Sequence, residues 1–290
     1  MNEQKKTLLQ ERRVGCGGTD VSAIMGLNPW RSALDCYLEK LGKESKQAAS
    51  LEKAALKLEC GNRLEPIVID IFEDRTKLKV QRNVPCIYHS KYPYMLGHVD
   101  GLIGDDAVFE AKTAGLNALL SKTWGNGGSG KYAEKDAIPL HYWMQIQYYL
   151  MLSNRKEAYL AVLLGGVDDF RVYRFERDFA IGVRMRQAVK KFWTHNIEKK
   201  IPPPAVSAVD ANQIYRSHSG DYRESTEAIS RILIKNKSLR KQLRTIFSQK
   251  EILDGKITDF IGDSEGIKQG KLTLATWKKA KNGKRILRLY

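Results

Sequence analysis

Cysteine is scarce and poorly placed for structural chemistry. Cys16, Cys36, Cys60 and Cys86 stand 20, 24 and 26 residues apart with no Cys-x-x-Cys, which excludes a zinc ribbon and a disulfide framework and predicts reduced, mostly buried thiols. Long apolar runs are missing too. No stretch approaches the roughly 18 to 20 apolar residues that span a bilayer, and the opening Met1-Asn-Glu-Gln-Lys-Lys-Thr-Leu-Leu-Gln lacks a signal-peptide core. A cytoplasmic protein with no membrane partner is expected. Acidic residues are outnumbered, 33 Asp and Glu against 49 Lys and Arg, for a formal charge of +16 and a pI near 9.6. Such a surface favours a polyanion. The excess is uneven, because residues 231–290 hold 16 basic and 5 acidic side chains. Disorder is disfavoured by a hydrophobic content of 42%, and 290 residues suffice for one large domain or one domain with an appendage.

The chemistry concentrates between Asp100 and Lys112. Met95-Leu-Gly-His-Val-Asp-Gly-Leu-Ile-Gly reads as one arm of a hairpin, and Ala107-Val-Phe-Glu-Ala-Lys-Thr as its antiparallel partner across the Gly104-Asp105-Asp106 turn. Side chains alternate along a strand, so Glu110 and Lys112 face one side while Phe109 and Ala111 face the other. Two carboxylates, Asp100 and Glu110, then converge with one amine. Metal-assisted hydrolysis of a phosphodiester needs such a set.

Earlier in the chain, Gly17-Gly-Thr-Asp reads as a Gly-rich turn with a Thr19-Asp20 pair suited to an N-cap. Amides at such a start, with the Thr19 hydroxyl and the guanidiniums of Arg12 and Arg13, suit a phosphate; a plain capped helix is the equal alternative. Ser32–Leu41 reads as a second helix. A longer one over Leu51–Thr76 places Ala55, Leu58, Leu64, Ile67, Val68 and Ile71 on its apolar face, with Pro66 starting a new segment or a kink beside Glu65. Residues 77–87 read as a strand, and Thr123-Trp-Gly-Asn-Gly-Gly-Ser-Gly-Lys-Tyr as a mobile connector. Ile138–Ser153 is an aromatic, buried helix in which Gln145 needs a polar partner or faces the site. Two strands, 157–165 and 169–176, and a helix over 179–197 follow, and the run Pro202-Pro-Pro marks a boundary. Beyond it, apolar residues from Ile229 to Phe260 keep a coiled-coil-like 3-4 spacing broken by Asn236 and Lys250, which reads as an amphipathic helix lying back on the first domain or, alternatively, as one for self-association or a partner helix. The tail alternates about Asn282-Gly283 as a β-hairpin, with Trp277 and Tyr290 among its lysines.

Five blocks in order, Gly17-Gly-Thr-Asp-Val-Ser-Ala-Ile-Met-Gly-Leu-Asn-Pro-Trp, Gly61-Asn-Arg-Leu-Glu-Pro, Gly97-His-Val-Asp-Gly, Phe109-Glu-Ala-Lys-Thr and Gln145-Ile-Gln-Tyr-Tyr-Leu, resemble the YqaJ-type viral recombinase family, phage nucleases related to lambda exonuclease. The resemblance implies an α/β fold: a restriction-endonuclease-like PD-(D/E)xK core over residues 1–205, a central mixed sheet flanked by helices. A basic C-terminal extension over 206–290, a long amphipathic helix and a β-hairpin, completes the expected division. It implies Mg2+, with Mn2+ as substitute and two ions in all, on Asp100, Glu110, the Ala111 carbonyl and Glu65. Lys112 would position or help deprotonate the attacking water, Gln145 would orient water or phosphate, and Arg12 with Thr19 would hold a 5′-phosphate. Val99 stands where the motif has its proline, and Thr19 where it has a serine. Cysteines of the iron–sulfur relatives would follow Lys112, whereas all four here precede Asp100.

The activity so implied is 5′ to 3′ exonuclease action on double-stranded DNA ends in a phage or prophage recombination system of a bacterial host cell. Its partners would be a single-strand annealing recombinase and further copies of the chain in a homo-oligomer, a trimeric ring among the arrangements. An endonuclease or structure-specific nuclease of the same fold, and a non-catalytic DNA-binding protein, are the competing readings.

Overall fold

The structure is a computed structural model and describes residues 13–43, 51–166, 168–280 and 283–290. The chain forms two compact units, the first ending at Ser217 and the second beginning at His218.

Hydrophobic alternation organises the first unit around a five-stranded mixed sheet in the order β3-β4-β6-β7-β5. Its strands are β3 (Gly101–Ile103), β4 (Ala107–Ala114), β6 (Glu157–Leu164), β7 (Asp169–Glu176) and the edge strand β5 (Gly128–Tyr132). β3 and β4 form the expected antiparallel hairpin, Gly101 opposite Phe109 and Ile103 opposite Ala107. Gly104 turns it at φ +50°, a left-handed value that glycine adopts at little cost. β4 then runs parallel to β6, and β6 antiparallel to β7.

β6 is buried on both faces. Leu160, Val162 and Leu164 pack into one apolar cluster with Val108, and Tyr159, Ala161 and Leu163 into another with Phe109 and Ala111. Each fully buried Leu or Val contributes about 1.5–3 kcal/mol. The first cluster is covered by α5 (Leu140–Ser153), α1 (Gly18–Ile24), α2 (Ala33–Lys40) and α6 (Phe179–Lys191), which continues as a π-helical turn, Phe192–Ile197. The second is covered by α3 (Leu51–Thr76) through Val68, Ile69 and Phe72. The shorter α4 (Leu116–Leu120) and α7 (Ala208–Ile214) complete the unit.

Four expectations need correction. Residues 77–87 are not a continuous strand: Gln81 bridges to Leu102, and only β1 (Ile87–Tyr88) pairs, with β2 (Leu96–Gly97). Asn83 at φ +57° and Pro85, which has no N–H, interrupt the ladder. α3 runs through Pro66 without starting a new segment, and its inward face is Val68, Ile69 and Phe72, while Leu58 and Ile67 are exposed. Part of the Gly-rich connector is the edge strand β5, parallel to β7. There Gly127 lies so close to β7 that a Cβ would meet Arg171 and the Val172 carbonyl at 2.9 Å. The first unit also continues past the proline run, because the α7 carboxylate of Asp210 is buried and accepts a hydrogen bond from Ser32 Oγ at 3.3 Å.

The second unit holds α8 (Glu227–Ile261) and an antiparallel sheet of β8 (Gly266–Gln269), β9 (Leu272–Lys279) and β10 (Arg285–Leu289). Thr226 caps α8, its Oγ accepting from the Ile229 amide at 3.3 Å. β9 and β10 are the expected hairpin, and its Asn282 lies outside the described residues. β8 is an addition: Gly266 admits the Ala275 carbonyl 2.2 Å from where a Cβ would stand. Arg285 covers one face of Trp277, 3.7 Å from the ring centroid.

Candidate active site

β4 sets the site. Its alternation points Glu110 and Lys112 to the face that carries α5, while Asp100, just before β3, reaches across the hairpin. The Asp100 carboxylate accepts a hydrogen bond from the Ala111 amide at 2.8 Å, which fixes the aspartate against the Glu-x-Lys strand. Glu110 is buried, and its Oε1 accepts from Gln145 Nε2 at 2.7 Å and from the Lys112 ammonium. Gln145 also donates to the Tyr149 hydroxyl at 3.0 Å. The polar residue of an otherwise aromatic helix therefore faces the site. Gly18 makes room for this, since a Cβ there would meet Gln145 and Tyr149 at 2.8 Å.

Glu65 comes from α3 and lines the same cleft of about 430 Å³, with Thr19, Asn62, Asp100, Glu110 and Lys112. Pro66 has no N–H for the carbonyl of residue 62 one turn earlier, so the Asn62 carbonyl lacks its usual intrahelical partner, and Asn62 lines the cleft. Thus Asp100, Glu110, Lys112, Glu65, Gln145 and Thr19 come to one cleft. Arg12 lies outside the described residues.

The carboxyl groups feel burial and one another. Burial and then Asp100 push Glu110 up to about 8 against the pull of Lys112. Glu65 rises to about 7 through burial and then Asp100, again opposed by Lys112. Asp100 is raised by burial, with Lys112 and the Ala111 amide acting the other way. Burial alone would lower Lys112, but Glu110 and Asp100 outweigh it and hold the side chain as an ammonium. Its Nζ stands 5.4 Å from the Tyr142 ring.

Among the described residues no group of three or more His, Cys, Asp and Glu side chains is arranged to hold a metal by itself. The donors are instead mixed. Glu110 Oε2 is buried with no hydrogen-bond partner, beside carboxylates that raise one another's pKa. Together with the Ala111 carbonyl they give the all-oxygen set that a hard divalent cation takes alongside water. The residues fit such an ion, and Asp100, Glu110 and Ala111 would hold it.

Asp20 departs from expectation. Gly17 is the N-cap of α1, Thr19 lies exposed in its first turn, and Asp20 turns inward to accept from the Gly17 amide at 2.9 Å. The buried Asp20 carboxylate pairs with Lys40 and with Arg31, each at 2.7 Å. Arg31 and Lys57 also line the cleft. The sequence signal for this triad is a lysine that follows the apolar run Cys36-Tyr-Leu and Glu39. Burial pushes the Asp20 carboxyl up, but Lys40 and Arg31 outweigh it and hold it below its usual value. Asp20→Asn is expected to cost about 3–5 kcal/mol at neutral pH, because the buried Lys40 would lose its 2.7 Å carboxylate and keep Glu39 only at 4.0 Å. The depressed carboxyl stabilises fully above its unfolded value of about 3.9 and progressively less as pH falls through the folded value, so wild type and variant converge in acid. Urea unfolding at about pH 7 and pH 3 measures the gap, and an equal gap at both would contradict this role.

A helix-flanked mixed sheet that brings an aspartate and a Glu-x-Lys to one cleft is the PD-(D/E)xK core, and the class it defines is a nuclease. Comparison with known proteins specifies the family. The YqaJ-like viral recombinase domain matches residues 8–156, and the uncharacterized protein YqaJ of Bacillus subtilis (strain 168) is 30% identical over 266 residues, 89% of this chain and 78% of that protein. The chain belongs to the YqaJ-like viral recombinase family. Among solved structures, an alkaline exonuclease from Laribacter hongkongensis aligns at 18% identity and a TM-score of 0.49, over 68% of this chain and 94% of that one. A phage related exonuclease from Haemophilus somnus 129PT aligns at 16% identity and 0.39, over 64% and 96%. Among the described residues no helix is long and apolar enough to cross a membrane.

Proposed function

We propose that the chain is a divalent-metal-dependent deoxyribonuclease that degrades double-stranded DNA from its ends in the 5′ to 3′ direction. It would leave 3′ single strands for an annealing recombinase in phage or prophage recombination. The observation that carries this reading is the buried, unpartnered Glu110 Oε2 beside Asp100, on a strand that also supplies Lys112.

Mg2+, or Mn2+ in its place and in a pair, supplies Lewis-acid neutralisation of the attacking and leaving oxygens. Asp100, Glu110 and the Ala111 carbonyl would hold it, with Glu65 at the second position. Lys112, held as an ammonium, serves by offsetting charge on the scissile phosphate and positioning water; taking a proton is disfavoured while it keeps its own. Gln145 orients the Glu110 carboxylate through its 2.7 Å hydrogen bond. Thr19, Arg31 and Lys57 line the cleft and suit the phosphates of an entering strand, with Arg12 as the partner of Thr19 on a 5′-phosphate. The net +16 charge supports polyanion binding.

Linear duplex labelled at the 5′ or the 3′ end, beside covalently closed circles, tests the polarity. Early release of the 5′ label with circles intact is expected. Arg12→Ala should slow 5′-phosphorylated ends more than 5′-hydroxyl ends. Cut circles would make the enzyme an endonuclease, and equal slowing at both ends would remove Arg12 from phosphate recognition.

A further inference from the structure

Trp30 is out of place as a packing residue. Tryptophan is highly buried on average, yet this indole is 66% exposed, alone among the described tryptophans. Its loop holds it there. The Asn28 side chain accepts a hydrogen bond from the Trp30 amide at 2.9 Å and donates one to Ser22 Oγ of α1 at 3.1 Å, and Pro29 between them has a fixed φ. The ring is presented from a braced turn, so little conformational freedom remains to be lost when a ligand lies on it.

The surroundings select the ligand. The Trp30 and His141 ring centroids are 6.1 Å apart, those of His141 and Tyr142 are 4.1 Å apart, and Lys112 Nζ is 5.4 Å from the Tyr142 ring. A ladder of tilted rings therefore leads from the amine of Glu-x-Lys out to the surface. Burial and then Lys112 hold His141 below its usual pKa, which favours the uncharged ring. The Trp30 and His141 pair flanks the cleft, because Arg31, next to Trp30, and Tyr142, next to His141, both line it. Arg31 is braced by Asp20 at 2.7 Å, and Lys57 and Lys112 line the same cleft. Aromatic faces beside a row of cations are the combination that holds single-stranded nucleic acid: the cations take backbone phosphates, and bases of any identity stack on the rings.

We infer that Trp30, backed by His141, is a stacking site for an unpaired nucleobase of the strand whose phosphates lie in the cleft. The assignment rests on the deoxyribonuclease reading. It makes Trp30 a binding residue that holds the strand end beside Lys112 without regard to which base it carries.

The test uses the full chain and 5′-phosphorylated linear duplexes in which the terminal nucleotides of the 5′ strand lack their base one at a time. Each duplex is titrated in chelator, and the intact duplex is digested in parallel with Mg2+. Wild type is expected to lose about tenfold in affinity when the stacked base is missing. Trp30→Ala should lose nothing further at that position, and Trp30→Phe should keep most of the effect. Comparing two proteins on the same DNA cancels what the missing base does to the duplex itself. Circular dichroism and sedimenting mass should be unchanged in Trp30→Ala, since the side chain is exposed. Equal losses in wild type and Trp30→Ala at every position, with wild type digesting the intact duplex, would overturn the stacking site and leave the nuclease standing. A wild type that neither binds nor digests would remove both. A changed sedimenting mass in Trp30→Ala would make the indole a contact between protein chains and overturn the inference.

Discussion

Lys112→Ala is expected to lower hydrolysis of linear duplex DNA by on the order of 10³-fold while changing duplex affinity little. The rate depends on this amine because it is the cation facing both Glu110 and Asp100 in the cleft. Affinity does not, because it sums over many phosphate contacts and Lys112 is one of 49 basic residues. Removing the ammonium also leaves Glu110 Oε1 with Gln145 alone, so the carboxyl would rise further and hold a proton more tightly. Single-turnover digestion with saturating enzyme, read beside a filter-binding isotherm, separates the two effects. A variant that cleaves at the wild-type rate would remove Lys112 from the chemistry, and one that fails to bind would make it a binding residue.

Glu110→Gln is expected to abolish the response to divalent metal as well as the activity. Gln keeps the shape of the side chain and its contact with Gln145, but it withdraws the charge and the unfilled Oε2 acceptor. For wild type, an ion at 100 times its dissociation constant stabilises the fold by about 2.7 kcal/mol. A domain of this size then melts roughly 5–10 °C higher in Mg2+ or Mn2+ than in chelator. The variant should melt at one temperature in both. A metal shift that survives in Glu110→Gln would place the ion elsewhere.

Much of the candidate site's geometry is legible in the sequence because its parts are local. Asp100, Glu110 and Lys112 lie on one hairpin whose turn, Gly104-Asp105-Asp106, is written in the chain, and strand alternation alone puts Glu110 and Lys112 on one face. Gln145 stood out as an amide inside an aromatic helix, and its partner proved to be Glu110. Long-range contacts were not legible. That Asp20 turns inward depends on Lys40 and Arg31 arriving from another helix and the loop before it, and no spacing rule encodes that. The inward face of α3 was misplaced because its first half lies over the cleft, where apolar positions such as Leu58 stay exposed. Residues 128–132 looked like a connector because Gly-rich composition hides an edge strand that exists through its pairing with β7.

The most direct test of the central claim is nucleotide release from linear duplex DNA in three reactions: wild type with Mg2+, wild type with chelator, and Lys112→Ala with Mg2+. Release in the first alone is the predicted result. Comparable release in chelator or by Lys112→Ala would contradict a metal-dependent centre built on Asp100, Glu110 and Lys112.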